Sequence, residues 1–261
     1  MSKCQLFVGG KWVDAESGKT FPVLNPATEE EIGRAALGGP ADVDRAVQAA
    51  MSAFPAWSRL TQSERAKMLH PLGAAIRDAA DELIDLEVRE HGTPVQMARG
   101  FVAGAADQVE FFVSISRALM GQVLDAFSDA TVYLKRVPVG VCAVITPWNV
   151  PLLMMSAMVT PALVTGNTVI LKPASVNSLL AVKFTELLEQ LGLPPGVMNL
   201  MTGPGGSAGE ALAGHRGVDM IRFTGSSETG EEIMSVASRT AKKCVMELGG
   251  NNPVIVCEDA D

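Results

Sequence analysis

Four short segments of this chain set polar side chains or glycines directly behind apolar runs, where each could meet a ligand. TPWNVP (146–151) holds Asn149 between two prolines, after the apolar run 139–145. A carboxamide fixed there could donate to a developing oxyanion, or could simply cap the helix that follows. In LKPAS (171–175), Lys172 ends a short apolar strand. Its ammonium either donates to sugar hydroxyls or phosphate at the strand end, or is an ordinary solvated lysine. FTGSSETG (223–230) reads as a strand-to-helix junction. There Gly225 permits a tight turn and Ser226 can cap the helix, and the free N–H groups suit an anion such as a pyrophosphate. The stretch GPGGSAG (203–209) opens the preceding helix, and both glycine segments could also be plain turns. Neither is the GxGxxG dinucleotide fingerprint. In MELGGNNP (246–253), Glu247 ends an apolar strand. Burial there would raise its pKa toward general-base duty; otherwise it is a surface glutamate.

The elements that must position these segments follow from periodicity. Gly9-Gly10 between short apolar runs at 5–8 and 11–13 signals a hairpin, and a further strand spans 20–24. Val43, Ala46, Val47, Ala50, Met51 and Phe54 recur on one face of a first helix. Thr61 to Glu64 form a capping box for a second, with Leu69, Leu72, Ile76, Leu83 and Leu86 in period as far as His91-Gly92. A third helix spans about 94–120. From about residue 131 the period changes to strands, at 131–136, 139–145, 168–171, 197–200, 220–223, 244–247 and 254–256. Helices from 151, at 179–191, from about 207 and at 228–238 separate them. Apolar strands alternating with helices predict an α/β fold: a doubly wound, Rossmann-like parallel sheet, with N-terminal helices and a β-hairpin. In such sheets ligands bind beyond the carboxyl ends of the strands, where all four segments fall.

Composition narrows the partners. Hydrophobic residues make up 48% and charged residues 19% of the 261, enough for a buried core. A net charge of -8 argues against nucleic acid, which is met by an excess of Lys and Arg. The four cysteines, Cys4, Cys142, Cys244 and Cys257, show no CxxC spacing and no neighbouring His pair, so neither a metal site nor a disulfide framework is expected. They read as reduced thiols of a cytoplasmic protein, in core or edge positions. No N-terminal apolar segment resembles a signal peptide. The run 137–171 carries no charge, but Pro138, Pro147, Pro151 and Pro161 interrupt it. A membrane-spanning helix would lose backbone hydrogen bonds at its interior prolines, so no membrane role is expected.

Taken in order, TPWNVP, LKPAS, FTGSSETG and MELGGNNP resemble the aldehyde dehydrogenase superfamily. The resemblance extends along essentially the whole chain, including FPVLNPATEEEIG around Asn25 and Pro26. It implies NAD(P)-dependent oxidation of a small-molecule aldehyde to a carboxylic acid through a cysteine thiohemiacetal and thioester. Asn149 would supply the oxyanion amide and Glu247 the general base. Lys172 and Ser175 would lie at the adenosine ribose, and Gly225 and Ser226 at the pyrophosphate. Ile145, Thr146, Pro147, Trp148, Phe223, Thr224 and Leu248 would line the cofactor groove, with Gly203 and Gly209 on the adenine side. Val150, Leu153 and Met154 would border the aldehyde tunnel. The resemblance also implies a homo-oligomer, dimer or tetramer, with its oligomerisation hairpin at about 120–138. Residues 1–261 would then form one NAD(P)-binding domain.

Two departures stand out. Many members have KPAE where this chain has KPAS, so Ser175 replaces a glutamate that repels a 2′-phosphate, and NADP should be tolerated. The family's nucleophilic cysteine comes downstream of the ELGG motif, in a catalytic domain expected to be absent here, and none of the four cysteines matches it. Cys244 lies three residues before Glu247, on the opposite face of one strand. The chain alone is therefore expected to be inactive; the alternative is a non-catalytic nucleotide-binding fragment or an assembly partner, with exposed apolar surface.

Overall fold

A computed structural model of the chain describes residues 5–260, which leaves Cys4 outside the described residues. β1 (Leu6–Val8) and β2 (Lys11–Val13) form the expected hairpin, with Gly9 and Gly10 both at positive φ, 60° and 79°. β3 (Thr20–Leu24) pairs with β4 (Glu31–Ala36), a strand the sequence pattern had not marked. Its EIGRAA lacks the alternation of a half-buried strand, and the pairing with β3 makes it one.

α1 (Pro40–Arg59) buries Val43, Ala46, Val47, Ala50 and, further on, Trp57. Met51 is exposed and Phe54 only half-buried, so the apolar face is narrower than its spacing suggested. The helix expected from 61 to 92 is instead broken into α2 (Gln62–Leu69), α3 (Pro71–Asp78) and α4 (Ala80–Leu86), followed by a π-helical turn, Glu87–His91. Pro71 has no N–H to continue α2 and starts α3 instead. The capping box at the start of α2 is present: Glu64 N donates to Thr61 Oγ1 at 3.2 Å, and Thr61 N to Glu64 Oε2 at 2.7 Å. α5 (Val95–Ile115) ends before residue 120 in a single tight turn. β5 (Gln122–Leu124) and β6 (Val132–Leu134) pair only with each other, as a second, exposed hairpin.

The remainder alternates as expected: β7 (Val141–Ile145), α6 (Pro151–Val164), β8 (Thr168–Lys172), α7 (Ser178–Gln190), β9 (Met198–Leu200), α8 (Glu210–Gly214), β10 (Met220–Thr224), α9 (Ser227–Ser238) and β11 (Lys243–Glu247). No strand forms at 254–256. Val254, Ile255 and Val256 are exposed, and no described strand lies beside them, so their β-propensity has no ladder to join. Cys257 in the same segment is exposed, neither core nor edge, whereas Cys142 is buried in β7.

The main sheet runs β11-β10-β7-β8-β9-β1-β2. Its first five strands are parallel, and the N-terminal hairpin extends it antiparallel, through Phe7 beside Leu200. The sheet is therefore mixed rather than purely parallel. Two apolar layers cover it. Val144, Val169 and Leu171 face one layer with Leu152, Met155 and Phe184; Ala143, Ile145, Ile170 and Phe223 face the other with Val43, Val47 and Leu212. Among the described residues, no helix is long and apolar enough to cross a membrane.

From β7 the chain winds outward through β8 and β9, then returns to place β10 on the other side of β7. A crevice must open between the two directions of winding, beyond the ends of β7 and β10. At the opposite end of β7, where the strand begins, stands Gly140. Gly140 has φ 138°, and an added Cβ would fall 1.9 Å from Asp219 Oδ2, the atom that accepts Val141 N at 2.8 Å. Gly140→Ala is expected to lose about 2–4 kcal/mol of stability. Urea denaturation checks this, and a loss below about 0.5 kcal/mol, the size of an ordinary surface substitution, would contradict it.

Candidate functional site

A groove of about 1190 Å³ occupies that crevice. The end of β7 supplies Ile145, Thr146, Pro147, Trp148 and Asn149; β8 and the turn after it supply Lys172 and Ser175; β10 and the start of α9 supply Phe223, Thr224, Gly225 and Ser226. Gly209, Glu247 and Leu248 complete the set of expected residues that the fold brings together.

The alternatives left open by the sequence are now distinguished. Asn149 does not cap α6: the residue at the cap position is Val150, with no side-chain cap bond. Lys172 is not a solvated lysine. It is 3% exposed, its Nζ donates to Pro173 O at 2.8 Å, and burial pushes its pKa down to about 8. Gly209 lies over its aliphatic stem, since a Cβ there would sit 3.6 Å from Lys172 Cε. Ser226 caps α9 by accepting Thr229 N at 3.3 Å. Gly225 donates its N–H to Glu247 O at 3.1 Å, and an added Cβ would lie 2.4 Å from the Phe223 ring. That turn therefore has no room for a side chain.

Of the two alternatives for Glu247, the structure has the exposed one. It is exposed, because β11 is the edge strand and pairs only with β10. It shares a sheet face with Arg222, whose pKa burial lowers and the Glu247 charge raises. Cys244 and Met246 point to the other face and pack against the layer of Ile221 and Phe223.

Four expected residues lie outside the groove lining. Gly203, at φ 143°, packs against the backbone of Gly38, and its carbonyl accepts the Ser175 hydroxyl at 3.1 Å. Val150 is half-buried at the start of α6, and Leu153 and Met154 are half-buried against the large helical core. Leu153 packs on α5, its Cδ1 3.2 Å from where a Cβ on Gly104 would lie.

Residues the sequence reading did not single out include Gly205, Gly206, Glu210, Thr229, Glu231, Glu232 and Ser235. Thr229, Glu232 and Ser235 recur at helical spacing, and that polar stripe on α9 was the available signal. Among the described residues, Lys172 is the only cation in the lining, against Glu210, Glu231, Glu232 and Glu247. An anionic ligand must therefore be held mainly by backbone N–H groups. The first turn of α9 offers them at the positive end of its dipole.

Comparison with known proteins gives a consistent family. The model of the aldehyde dehydrogenase family matches residues 12–261. Betaine aldehyde dehydrogenase of Bacillus subtilis is 38% identical over 259 residues, 98% of this chain and 53% of that protein. Glutarate-semialdehyde dehydrogenase of Pseudomonas putida is 39% identical over 258 residues, 98% of this chain and 54% of its own length. Among solved structures, betaine aldehyde dehydrogenase from Staphylococcus aureus in complex with NAD+ superposes with a TM-score of 0.95 at 32% identity, covering 100% of this chain and 54% of that one. The chain thus spans about half the length of the curated relatives it matches.

Burial of Lys172 has a measurable consequence. Between pH 8 and its ordinary value of 10.5, the unfolded chain holds the proton and the folded chain does not. Stability contributed at this residue therefore rises with pH through that window and is flat below it. The stability of the parent relative to Lys172→Met, from paired urea titrations, is expected to increase between pH 8 and pH 10. A flat difference would show an unperturbed lysine.

Proposed function

Since this chain belongs to the aldehyde dehydrogenase family, we propose that it is the NAD-binding part of an enzyme that oxidises a small-molecule aldehyde to its carboxylic acid. The observation that carries this reading is the convergence of Asn149, Lys172, the α9 N-terminus and Glu247 on one groove at the reversal of strand order. The residues present fit a dinucleotide. Lys172 Nζ donates one hydrogen bond to Pro173 O, which leaves two N–H groups for ribose hydroxyls. The unpaired N–H groups of the first turn of α9 suit a pyrophosphate.

When bound there, NAD supplies a nicotinamide that accepts hydride. The protein's part begins with a thiolate that adds to the aldehyde carbonyl, and Asn149 donates to the oxyanion so formed. Loss of hydride leaves a thioester. Glu247 then takes a proton from water as the oxygen attacks the thioester, and the acid and thiolate separate. No cysteine among the described residues lines the groove. Cys142 is buried, with its thiol pushed up to about 12, and burial also raises that of Cys244. The thiolate therefore comes from outside the described residues. That same observation favours a second reading, a non-catalytic nucleotide-binding unit that assembles with a complete subunit.

The reading extends to a cytoplasmic homo-oligomer in which the β5–β6 hairpin, with exposed Val123, Tyr133 and Leu134, is the oligomerisation element. It also extends to the cofactor. Ser175 presents a hydroxyl, not a carboxylate, at the ribose side, so NADP is tolerated alongside NAD.

Two measurements test this. The purified 261-residue chain is expected to quench NADH fluorescence on binding, yet to reduce no NAD when given a panel of aldehydes; sustained NADH production would sink the assignment of the thiolate. Ser175→Glu is expected to weaken NADP binding about tenfold relative to NAD, or ~1.4 kcal/mol. Equal effects on both dinucleotides would remove Ser175 as a determinant.

A further inference from the structure

Three carboxylates are buried away from the groove lining; Asp42 serves the start of its own helix, α1, and the other two serve helices distant in the chain. Glu87 and Glu90, both in the π-helical turn Glu87–His91, are 0% and 3% exposed. A buried carboxylate is costly unless its oxygens are satisfied. Here the partners are chiefly the starts of two helices. Glu87 Oε1 accepts Leu152 N, in the first turn of α6, at 3.2 Å, and Oε2 accepts the Thr93 hydroxyl at 3.3 Å. Glu90 accepts Leu179 N at 2.6 Å and Leu180 N at 2.8 Å, both in the first turn of α7. Neither helix has a side-chain cap of its own, at Val150 or at Asn177. The caps come instead from one turn, 65 to 90 residues earlier in the chain.

These are the helices that leave the two site-bearing loops. α6 begins just after Trp148 and Asn149, and α7 just after the Lys172–Ser175 turn. The turn reaches the first loop a second time, since the His91 ring lies 5.7 Å from that of Trp148. The loops are also tied together, because Asn177 Nδ2 donates to Trp148 O at 3.1 Å.

We propose that Glu87 and Glu90 are positioning residues, a two-headed clamp that sets the spacing between the groove wall bearing Trp148 and Asn149 and the wall bearing Lys172 and Ser175. This role rests on the dinucleotide reading of the groove. Burial pushes the Glu90 carboxyl up to about 8, while the two amides of α7 pull it down.

The chemistry of the two glutamates differs, and that difference makes the test. At position 87 one oxygen accepts an amide and the other a hydroxyl. A glutamine can keep the amide bond and donate its NH2 to Thr93 Oγ1. At position 90 both oxygens accept amides, so a glutamine must turn its NH2 against an N–H. At pH 9, above the value to which burial raises Glu90, so that both its oxygens accept, label the whole chain with 5-fluorotryptophan, assign the Trp148 resonance with Trp148→Phe, and measure NADH affinity well below each variant's Tm. Glu90→Gln and Glu87→Ala are expected to move the Trp148 resonance and weaken NADH binding at least fivefold, whereas Glu87→Gln restores both. Leu69→Ala, a core truncation in α2, lowers Tm but leaves both unchanged. If the glutamate variants behave like Leu69→Ala, the carboxylates only stabilise the fold and the proposal falls. Should Glu90→Gln or Glu87→Ala not fold, Thr93→Val carries the same expectation with a smaller shift, and no shift overturns it. If the parent binds no NADH, the dinucleotide reading fails, while the Trp148 resonance still decides the clamp.

Discussion

β7 and β8 lie side by side and are buried at every residue from Val141 to Ile145 and from Thr168 to Lys172. Parallel strands with no exposed face can be connected only by crossovers, and the helices in those crossovers must cover both sides. All five parallel strands then end at the same edge, and the loops that leave them become neighbours however far apart they are in the chain. The position of β10 next to β7 rather than β9 opens that edge into a groove. The side chains of the site depend on this one topological fact.

On the proposed reading, backbone groups within the groove would do much of the work that charged side chains do elsewhere. One buried lysine faces four carboxylates, so the proposed anion recognition would fall to the N-terminus of α9. Of the helix starts that adjoin the site, those of α6, α7 and α9 are capped in two ways. α9 is capped locally by Ser226, which leaves its outer N–H groups toward the groove. α6 and α7 are capped from a distance by Glu87 and Glu90, on the side away from it. Local capping frees a helix end to bind, and distant capping ties a helix end to the scaffold.

Glu247 marks the open side of the groove. A general base is tuned by desolvation, yet this carboxylate stands on an edge strand with solvent beside it. Its proposed role calls for a surface that covers the open side of β11. The relatives matched by this chain are about twice its length. Among the described residues no cysteine lines the groove to supply the thiolate of the proposed reaction.

Apolar runs alternating with helical periods were enough to read an α/β fold from the residues alone, because a buried parallel strand tolerates almost nothing but apolar side chains. The strand-end motifs were legible for a related reason: a ligand edge demands glycines, prolines and a few polar groups within a short window. Features that depend on distant partners were not legible. The strand at Glu31–Ala36 exists through its pairing with β3, and Val254 to Val256 form none for want of a neighbour. Glu87 and Glu90 sit in a stretch that looks like ordinary charged helix, and only the packed structure shows them buried against amides up to 90 residues away. Likewise Lys172 and Glu247 each end an apolar strand in the sequence, yet one is buried and the other exposed. Their strands lie at the centre and at the edge of the sheet, and strand order is set by how the layers pack rather than by any local run of residues.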